Sequence, residues 1–177
     1  IQPNYYDCNI FHLCYTICNM SSKKAPIIAI VGRANVGKSS LFNAVLRRRE
    51  AVVAREAGTT RDSITARASY GGQDFWLVDT AGLKTAEDEF EFTIQEQIAQ
   101  AADSADAIWV VIDATATMSA EDRAVAKMAL KTKKPVMLLA NKSDRRTSQS
   151  IEDFQKLGIK TIIKTSATQN GGIVELL

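Results

Sequence analysis

One stretch of sequence decides the fold: Gly32-Arg33-Ala34-Asn35-Val36-Gly37-Lys38-Ser39, which matches the phosphate-binding P-loop pattern G-x-x-x-x-G-K-S in full. An apolar run at residues 27–31 precedes it and predicts a buried strand. The apolar spacing of residues 40–46 after it predicts a helix that ends near residues 47–49. This context lets backbone N–H groups and the positive end of a helix dipole surround an anion. The stretch therefore predicts a phosphate site.

Each part of this loop has an expected role in holding phosphate. Gly32 and Gly37 can take backbone angles that other residues resist, so consecutive N–H groups can turn toward the anion. Lys38 is expected to reach the terminal phosphates, and Ser39 to place its hydroxyl on a magnesium ion. The predicted nucleotide-binding set includes the whole loop and the next residue: Gly32, Arg33, Ala34, Asn35, Val36, Gly37, Lys38, Ser39 and Ser40.

Length and charge limit the function classes. The 177 residues suffice for one domain with a proper core and are too few for two of ordinary size. A formal net charge of +2 gives no reason to expect strong non-specific nucleic-acid binding, so no DNA partner is expected. Because no apolar run approaches the length of a transmembrane helix, no membrane partner is expected either.

Residues 1–19 differ from the rest of the chain. They hold all three cysteines, the only histidine and almost no charge. A secretory signal would need a basic n-region, and the spacing of Cys8, Cys14 and Cys18 does not form the paired knuckles of a zinc site. We therefore expect a non-native or disordered extension, with the protein proper starting at Met20. The remaining chain has no cysteine, which fits a reducing cytoplasm.

Strand and helix patterns alternate after the P-loop. Gly71-Gly72 lies between two strand patterns and predicts a hairpin, the one antiparallel pair of the sheet. Ser119 and the acidic residues after it predict a capped helix. The expected strands are 64–70, 73–78, 107–113, 135–140 and 159–164; the expected helices are 93–102, 119–130 and one beginning at 171–177, with Ile173, Val174, Leu176 and Leu177 facing the sheet. This order predicts an α/β fold with a mostly parallel six-stranded sheet and helices on both faces.

A second short motif ends the second strand of the hairpin. It consists of Asp79, Thr80, Ala81 and Gly82. An acidic residue at the end of a strand can hold a metal-bound water opposite Ser39. A glycine at the position of Gly82 lets its backbone N–H approach a γ-phosphate.

A third motif, Asn141-Lys142-Ser143-Asp144, follows the strand at 135–140. The carboxylate of Asp144 can accept two parallel hydrogen bonds from the N1–H and 2-amino groups of guanine. Adenine has no such donor pair, so this residue is expected to select GTP over ATP. Lys142 is expected to lie along the base plane, and Asn141 to tie this loop to the P-loop. After the last strand, a backbone N–H of Ser166-Ala167 is expected to meet the guanine O6.

These motifs, in this order, resemble those of translation-factor-class GTPase domains over residues 25–177. The resemblance is strongest to the first G domain of the bacterial ribosome-assembly GTPases of the Der (EngA) family, through residues 35–43, 48–54 and 58–62. It implies a Ras-like G domain that uses GTP, GDP and Mg²⁺. It also implies that Thr60 is the switch threonine that meets magnesium. Ala34, Ala57 and Ala81 depart from the family pattern and leave the related Era and MnmE families open.

The resemblance also implies a domain organisation. Der proteins have a second G domain and a KH-like domain that have no counterpart in this sequence. We therefore expect residues 20–177 to be a single G domain truncated in its last helix. Contacts with ribosomal particles or rRNA are expected through domains outside this sequence.

Catalysis is expected to rest on positioning and charge neutralisation, with slow turnover. Leu83 stands where Ras-like proteins carry the glutamine that orients water. Related GTPases with an apolar residue there often use a potassium ion held partly by the asparagine at the position of Asn35. The residues expected to act in catalysis are Asn35, Lys38, Thr60 and Gly82.

Two other function classes fit the same motifs. The domain could be a binding module whose affinity for a partner depends on GTP or GDP, with hydrolysis requiring that partner. A P-loop ATPase or small-molecule kinase is the third interpretation, and it requires the carboxylate of Asp144 to be incidental.

Overall fold

A six-stranded sheet forms the centre of the molecule. The structure is a computed structural model that describes residues 25–47, 64–70, 72–80, 94–146 and 149–177. Its strands are β1 Ile27–Val31, β2 Ile64–Tyr70, β3 Gln73–Asp79, β4 Ala107–Asp113, β5 Val136–Asn141 and β6 Thr161–Lys164. Within the sheet they lie in the order β2-β3-β1-β4-β5-β6. Its helices are α1 Lys38–Leu46, α2 Ile94–Ser104, α3 Ala120–Lys131, α4 Ile151–Gln155 and α5 Ile173–Leu176. The predicted α/β class, with a mostly parallel sheet, is confirmed.

Parallel pairing brings the motif-bearing ends of four strands to one edge of the sheet. β1 pairs in parallel with β3 and β4, and β5 pairs in parallel with β4 and β6. The register places Ile30 opposite Asp79, and Asp113 opposite Asn141. The predicted hairpin is confirmed, because β2 and β3 are antiparallel. Each motif therefore follows a strand at the same carboxyl edge, where open α/β sheets bind ligands.

Two apolar layers cover the faces of the sheet. Trp109 and Val111 of β4 pack on the side of α1 and α5, whereas Ile108, Val110 and Ile112 pack on the side of α2, α3 and α4. A central parallel strand that is buried on both faces is apolar throughout for this reason.

Some element boundaries differ from the sequence prediction. Strand β5 begins at Val136 because Pro135 has no N–H to donate, although its carbonyl still accepts from the N–H of Ile108 at 2.9 Å. Strand β6 begins at Thr161 rather than at residue 159. In α5, the prediction that Val174 faces the sheet is wrong, since it is 47% exposed, while Ile173, Leu176 and Leu177 are buried. A helix of four residues makes about one turn, so only one side of it can face the sheet, and Val174 lies on the other side.

Helix α4 was not predicted, although its signal is present in the sequence. Ser150 and Asp153 form a reciprocal capping box, the arrangement that Ser119 and Asp122 form at α3. A helix of five residues is too short to show an apolar period, so only the cap could have revealed it.

Several sequence predictions lie outside the described residues. They are the extension at 1–19, the loops at 51–62 and 83–92, and the site residues Thr60, Ala81 and Gly82. Within the ranges that the structure describes, no helix is long and apolar enough to cross a membrane.

Candidate functional site

The P-loop forms a tight turn between β1 and α1. Gly37 has a φ of 96°, and a Cβ atom there would overlap Asn141 Nδ2. A Cβ atom at Gly32 would overlap the carbonyl oxygen of Val111 in β4. Both glycines are therefore required by close packing against neighbouring strands or loops. Helix α1 begins at Lys38, and Gly37 before it has no side chain that could cap the helix. The first backbone N–H groups of α1 therefore donate to no capping side chain.

The amine of Lys38 lies inside the loop. The residue is buried, and its Nζ donates to the carbonyl of Gly32 at 2.6 Å and to that of Arg33 at 2.8 Å. The loop thus fixes a positive charge beside the first amides of α1, which is an arrangement that favours an anion. Around this amine, Ala34, Asn35, Ser39 and Ser40 are exposed and Val36 is buried.

Asn141 joins three loops through one buried side chain. Its Nδ2 donates to the carbonyl of Val36 in the P-loop at 3.0 Å. Its Oδ1 accepts from the N–H of Ala167 at 3.2 Å and from the hydroxyl of Thr165 at 3.4 Å. The expected tie between the Asn141 loop and the P-loop is therefore present, and the same amide also holds the loop after β6.

Lys142 crosses from its own loop to the P-loop. Its Nζ donates to the carbonyl of Asn35 at 2.8 Å and to Asp113 Oδ2 at 2.7 Å. Asp113 Oδ1 accepts from the N–H and hydroxyl of Thr115 at 2.9 and 2.6 Å. Burial acts to raise the pKa of Asp113, but the hydrogen bonds from Lys142 and Thr115 outweigh it, so the pKa lies below its ordinary value. The carboxylate of Asp113 and the carbonyl of Asn35 thus hold the amine of Lys142 between its own loop and the P-loop.

No sequence pattern indicates the role of Asp113, for a clear physical reason. Its position at the end of β4 resembles that of Asp79 at the end of β3, but no motif accompanies it. Its role depends on the pairing of β4 with β5, which sets it opposite Asn141 and next to the lysine that follows. The only sequence signal was an acidic residue that ends a buried strand.

The remaining residues that are predicted to contact the base lie at the same edge of the sheet. Asp144 is exposed. The N–H of Ser166 donates to the carbonyl of Gly171 at 2.9 Å, and that of Ala167 donates to Asn141. Both amides therefore have partners within the protein, and the contact of one of them with the guanine O6 stays a prediction.

Asp79 and Thr80 are the remaining residues of the predicted phosphate site that the structure describes. Asp79 is fully buried, and the hydroxyl of the buried Thr80 donates to the carbonyl of Ile30 at 2.7 Å. This bond fixes the end of β3 against β1, directly before the P-loop. The hydroxyl of Ser39 and the carboxylate of Asp79 are oxygen donors of the kind that Mg²⁺ prefers, so this donor set fits that ion.

The side chain of Arg33 extends from the P-loop to α3. Its Nε lies 3.1 Å from Oδ1 of Asp122 in the first turn of α3. The P-loop pattern predicts that Arg33 belongs to the nucleotide-binding set, and the sequence predicts Asp122 only as part of a helix start. The two residues are far apart in sequence, and no pattern in the chain indicates that they pair.

Known proteins share this geometry and sequence. A family model described as "50S ribosome-binding GTPase" matches residues 27–142. Over 153 residues, or 86% of this chain, the identity is 42% to the GTPase Der of Lactobacillus johnsonii and 40% to that of Escherichia coli. These alignments cover 35% and 31% of those relatives, so the chain spans about a third of the length of the curated relatives it matches.

Solved structures agree on the fold. The G domain of the T. maritima FeoB iron transporter superposes with a TM-score of 0.63 at 26% identity, covering 86% of this chain and 94% of that one. A variant of Aquifex aeolicus Era bound to GDP·AlF4⁻ superposes with a TM-score of 0.65 at 26% identity, covering 87% and 55%.

A P-loop tied to a guanine-type Asn141-Lys142-Ser143-Asp144 loop, on a sheet of this order, defines a G domain of the P-loop GTPase class. The resemblance to Der inferred from the motifs is confirmed by the alignments. The chain belongs to the 50S ribosome-binding GTPase family.

Proposed function

We propose that this chain binds GTP and GDP, hydrolyses GTP slowly, and acts as a switch domain in ribosome biogenesis. The observation that carries the proposal is the hydrogen bond from Asn141 Nδ2 to the carbonyl of Val36. It fixes the distance and orientation between a loop that can recognise guanine and a loop that can hold phosphates. One nucleoside phosphate can then contact both loops.

Nucleotide binding would bring a phosphate oxygen to the amine of Lys38, which carries three N–H donors. Its amine donates to two loop carbonyls in the structure, and a phosphate oxygen would be a stronger, charged acceptor at the mouth of the same loop. The first amides of α1 would donate to the same phosphate group. Ser39, Thr60 and, through water, Asp79 would hold Mg²⁺. This ion, when bound, supplies positive charge that neutralises the phosphates.

Hydrolysis would rest on positioning rather than on a general base. Lys38 would stabilise charge on the γ-phosphate, and the amide of Gly82 would approach the same group. Asn35 is the residue proposed to help hold K⁺. Asn35 is exposed, and its backbone carbonyl accepts a hydrogen bond from the amine of Lys142. The potassium requirement is a separate proposal, which is tested by comparing the rate of GTP hydrolysis in K⁺ and Na⁺ buffers.

The place of action is proposed from the family and its relatives. The matching family model is described as ribosome-binding, and the similar relatives are named GTPase Der. Because the chain spans a third of those relatives, contacts with the large ribosomal subunit or rRNA would involve parts of the whole protein beyond these residues. The proposed location is the cytoplasm. The alternative, a binding module that hydrolyses GTP only with its partner, differs in the rate measured for the chain alone.

Asp144→Asn tests the base-recognition part of the proposal. The change removes the charge and places an amide donor beside the donors of guanine. GTP affinity should fall by about 100-fold or more, while xanthosine triphosphate, with a carbonyl at the 2-position, should gain affinity. Asp103→Asn, the same chemical change on an exposed position of α2, is the matched control and should leave both affinities unchanged. Unchanged GTP affinity in Asp144→Asn would overturn the assignment.

Turnover measured with and without large ribosomal subunits separates the two switch interpretations. Slow release of phosphate by the chain alone supports the intrinsic GTPase. Turnover seen only with the particles supports the partner-dependent module.

A further inference from the structure

The P-loop is anchored to α3 by one charged pair. Arg33 Nε donates to Asp122 Oδ1 at 3.1 Å, and the two side chains are 22% and 4% exposed. A hydrogen bond between charged groups that is largely shielded from water is stronger than one at the surface. The pair connects the P-loop to α3, two parts of the chain that are separated in sequence by α1, β2, β3, α2 and β4.

The carboxylate of Asp122 is itself held in place. Its second oxygen, Oδ2, accepts from the N–H of Ser119 at 2.9 Å and from the hydroxyl of Ser119 at 2.8 Å. The N–H of Asp122 donates back to that hydroxyl at 3.0 Å. The capping box thus uses one carboxylate oxygen and presents the other to Arg33, so the anchor is oriented before the arginine binds it.

Arg33, the other member of the pair, contacts Lys38, the lysine that is proposed to bind phosphate. The backbone carbonyl of Arg33 accepts from Lys38 Nζ at 2.8 Å. A shift of Arg33 therefore moves one of the carbonyl oxygens that accept from this amine. One contact on each side of Arg33 links the start of α3 to the lysine.

We propose that Arg33 and Asp122 are positioning residues of the phosphate site. Asp122 holds the side chain of Arg33. This contact fixes the part of the P-loop, residues 32–33, whose carbonyls accept from Lys38. A shift at the start of α3 then moves the phosphate site, and phosphate binding in turn affects the position of the start of α3. This inference rests on the proposed function, because it assumes that the loop binds nucleotide phosphates.

A double-mutant cycle on GDP affinity tests the pair. Arg33→Ala and Asp122→Asn are expected to weaken GDP binding by about tenfold each and to speed GDP dissociation, as expected for the loss of a charged hydrogen bond. The double variant should be no weaker than either single variant, since both remove the same contact. Asp122→Asn keeps a side-chain oxygen for the cap of α3, so the helix retains its start.

Ser119→Ala is the matched control. It removes the capping hydroxyl, but the backbone N–H at position 119 still donates to Oδ2 of Asp122 and keeps the carboxylate turned toward Arg33. It should lower the melting temperature while GDP affinity stays within about twofold of the wild type. A fall in GDP affinity that follows the melting temperature across all four variants would reduce the pair to a structural contact and overturn the proposal.

Hydrogen exchange in the nucleotide-free protein provides a readout that does not depend on nucleotide. Arg33→Ala and Asp122→Asn should both raise exchange of the amides at residues 33–36, whereas Ser119→Ala should raise it mainly at the start of α3. Equal exchange in the loop of all variants contradicts the proposal.

Two further outcomes have distinct meanings. If Arg33→Ala weakens GDP binding and Asp122→Asn does not, Arg33 contacts the nucleotide directly and the positioning role is wrong. If the wild type binds no guanine nucleotide, the proposed function fails, and hydrogen exchange still decides whether the pair orders the loop.

Discussion

Replacing Asn141 with alanine tests whether one amide holds the site together. The buried side chain donates to Val36 and accepts from Ala167 and Thr165. Alanine leaves the buried carbonyl of Val36 and the half-buried N–H of Ala167 without this partner. An unsatisfied buried group costs about 1–3 kcal/mol. The hydroxyl of Thr165 can rotate to another acceptor and adds little. We expect a loss of about 3 kcal/mol in the free energy of unfolding.

Urea and thermal unfolding followed by circular dichroism measure this loss. For a domain of this size, about 3 kcal/mol corresponds to a fall in melting temperature of about 10 °C. Ser143→Ala is the matched control on the same loop. Its hydroxyl donates to the carbonyl of Thr165 at 2.8 Å, but its backbone N–H donates to the same oxygen at 3.0 Å. That carbonyl stays paired, so the control should lose about 1 kcal/mol or less. Equal losses in the two variants, or less than about 0.5 kcal/mol for Asn141→Ala, would refute the reasoning.

Three further predictions follow from single residues. Gly37→Ala forces a side chain into a φ of 96° and against Asn141, so it should destabilise the fold by about 1–3 kcal/mol and weaken GDP binding measured by calorimetry; wild-type affinity would contradict this. Because the pKa of Asp113 is lowered from its usual 3.8, the unfolded state binds more protons there, and the stability that this group provides is lost as pH falls below about 4. Asp113→Asn should therefore flatten the acid side of the stability curve measured by urea unfolding, and a curve as steep as that of the wild type would argue against the role of Lys142 as its partner. The indole N–H of the fully buried Trp109 has no hydrogen-bond partner among the described residues, so Trp109→Phe removes an unsatisfied donor along with some volume. It should cost about 1.5 kcal/mol or less, whereas Trp109→Ala should cost about 3–5 kcal/mol.

The predictable part of this protein is local in sequence. The P-loop, the hairpin around Gly71-Gly72 and the start of α3 at Ser119 are short patterns in which the residues that act together are neighbours. Strand β4 was predictable because burial on both faces requires a continuous apolar run. These patterns are sufficient to derive the sheet and the edge on which the site lies.

The unpredicted part depends on pairing between distant residues. Asp113 acts on Lys142 only because β4 lies beside β5, and Arg33 meets Asp122 only because α3 begins next to the P-loop. Neither pair has a spacing that a pattern could detect. Helix α4 was missed for the opposite reason, since it is local but too short to show a period.

Equilibrium competition for the nucleotide site tests the central claim most directly. The chain is incubated with Mg²⁺ and a fluorescent GDP analogue, and unlabelled GTP, GDP or ATP is titrated against it. GTP and GDP should both displace the analogue, and ATP should require at least about 100-fold more, because adenine lacks the donor pair that Asp144 accepts. Displacement by ATP as efficient as that by GTP, or no displacement by any of the three, would contradict the assignment of this chain as a guanine-nucleotide switch.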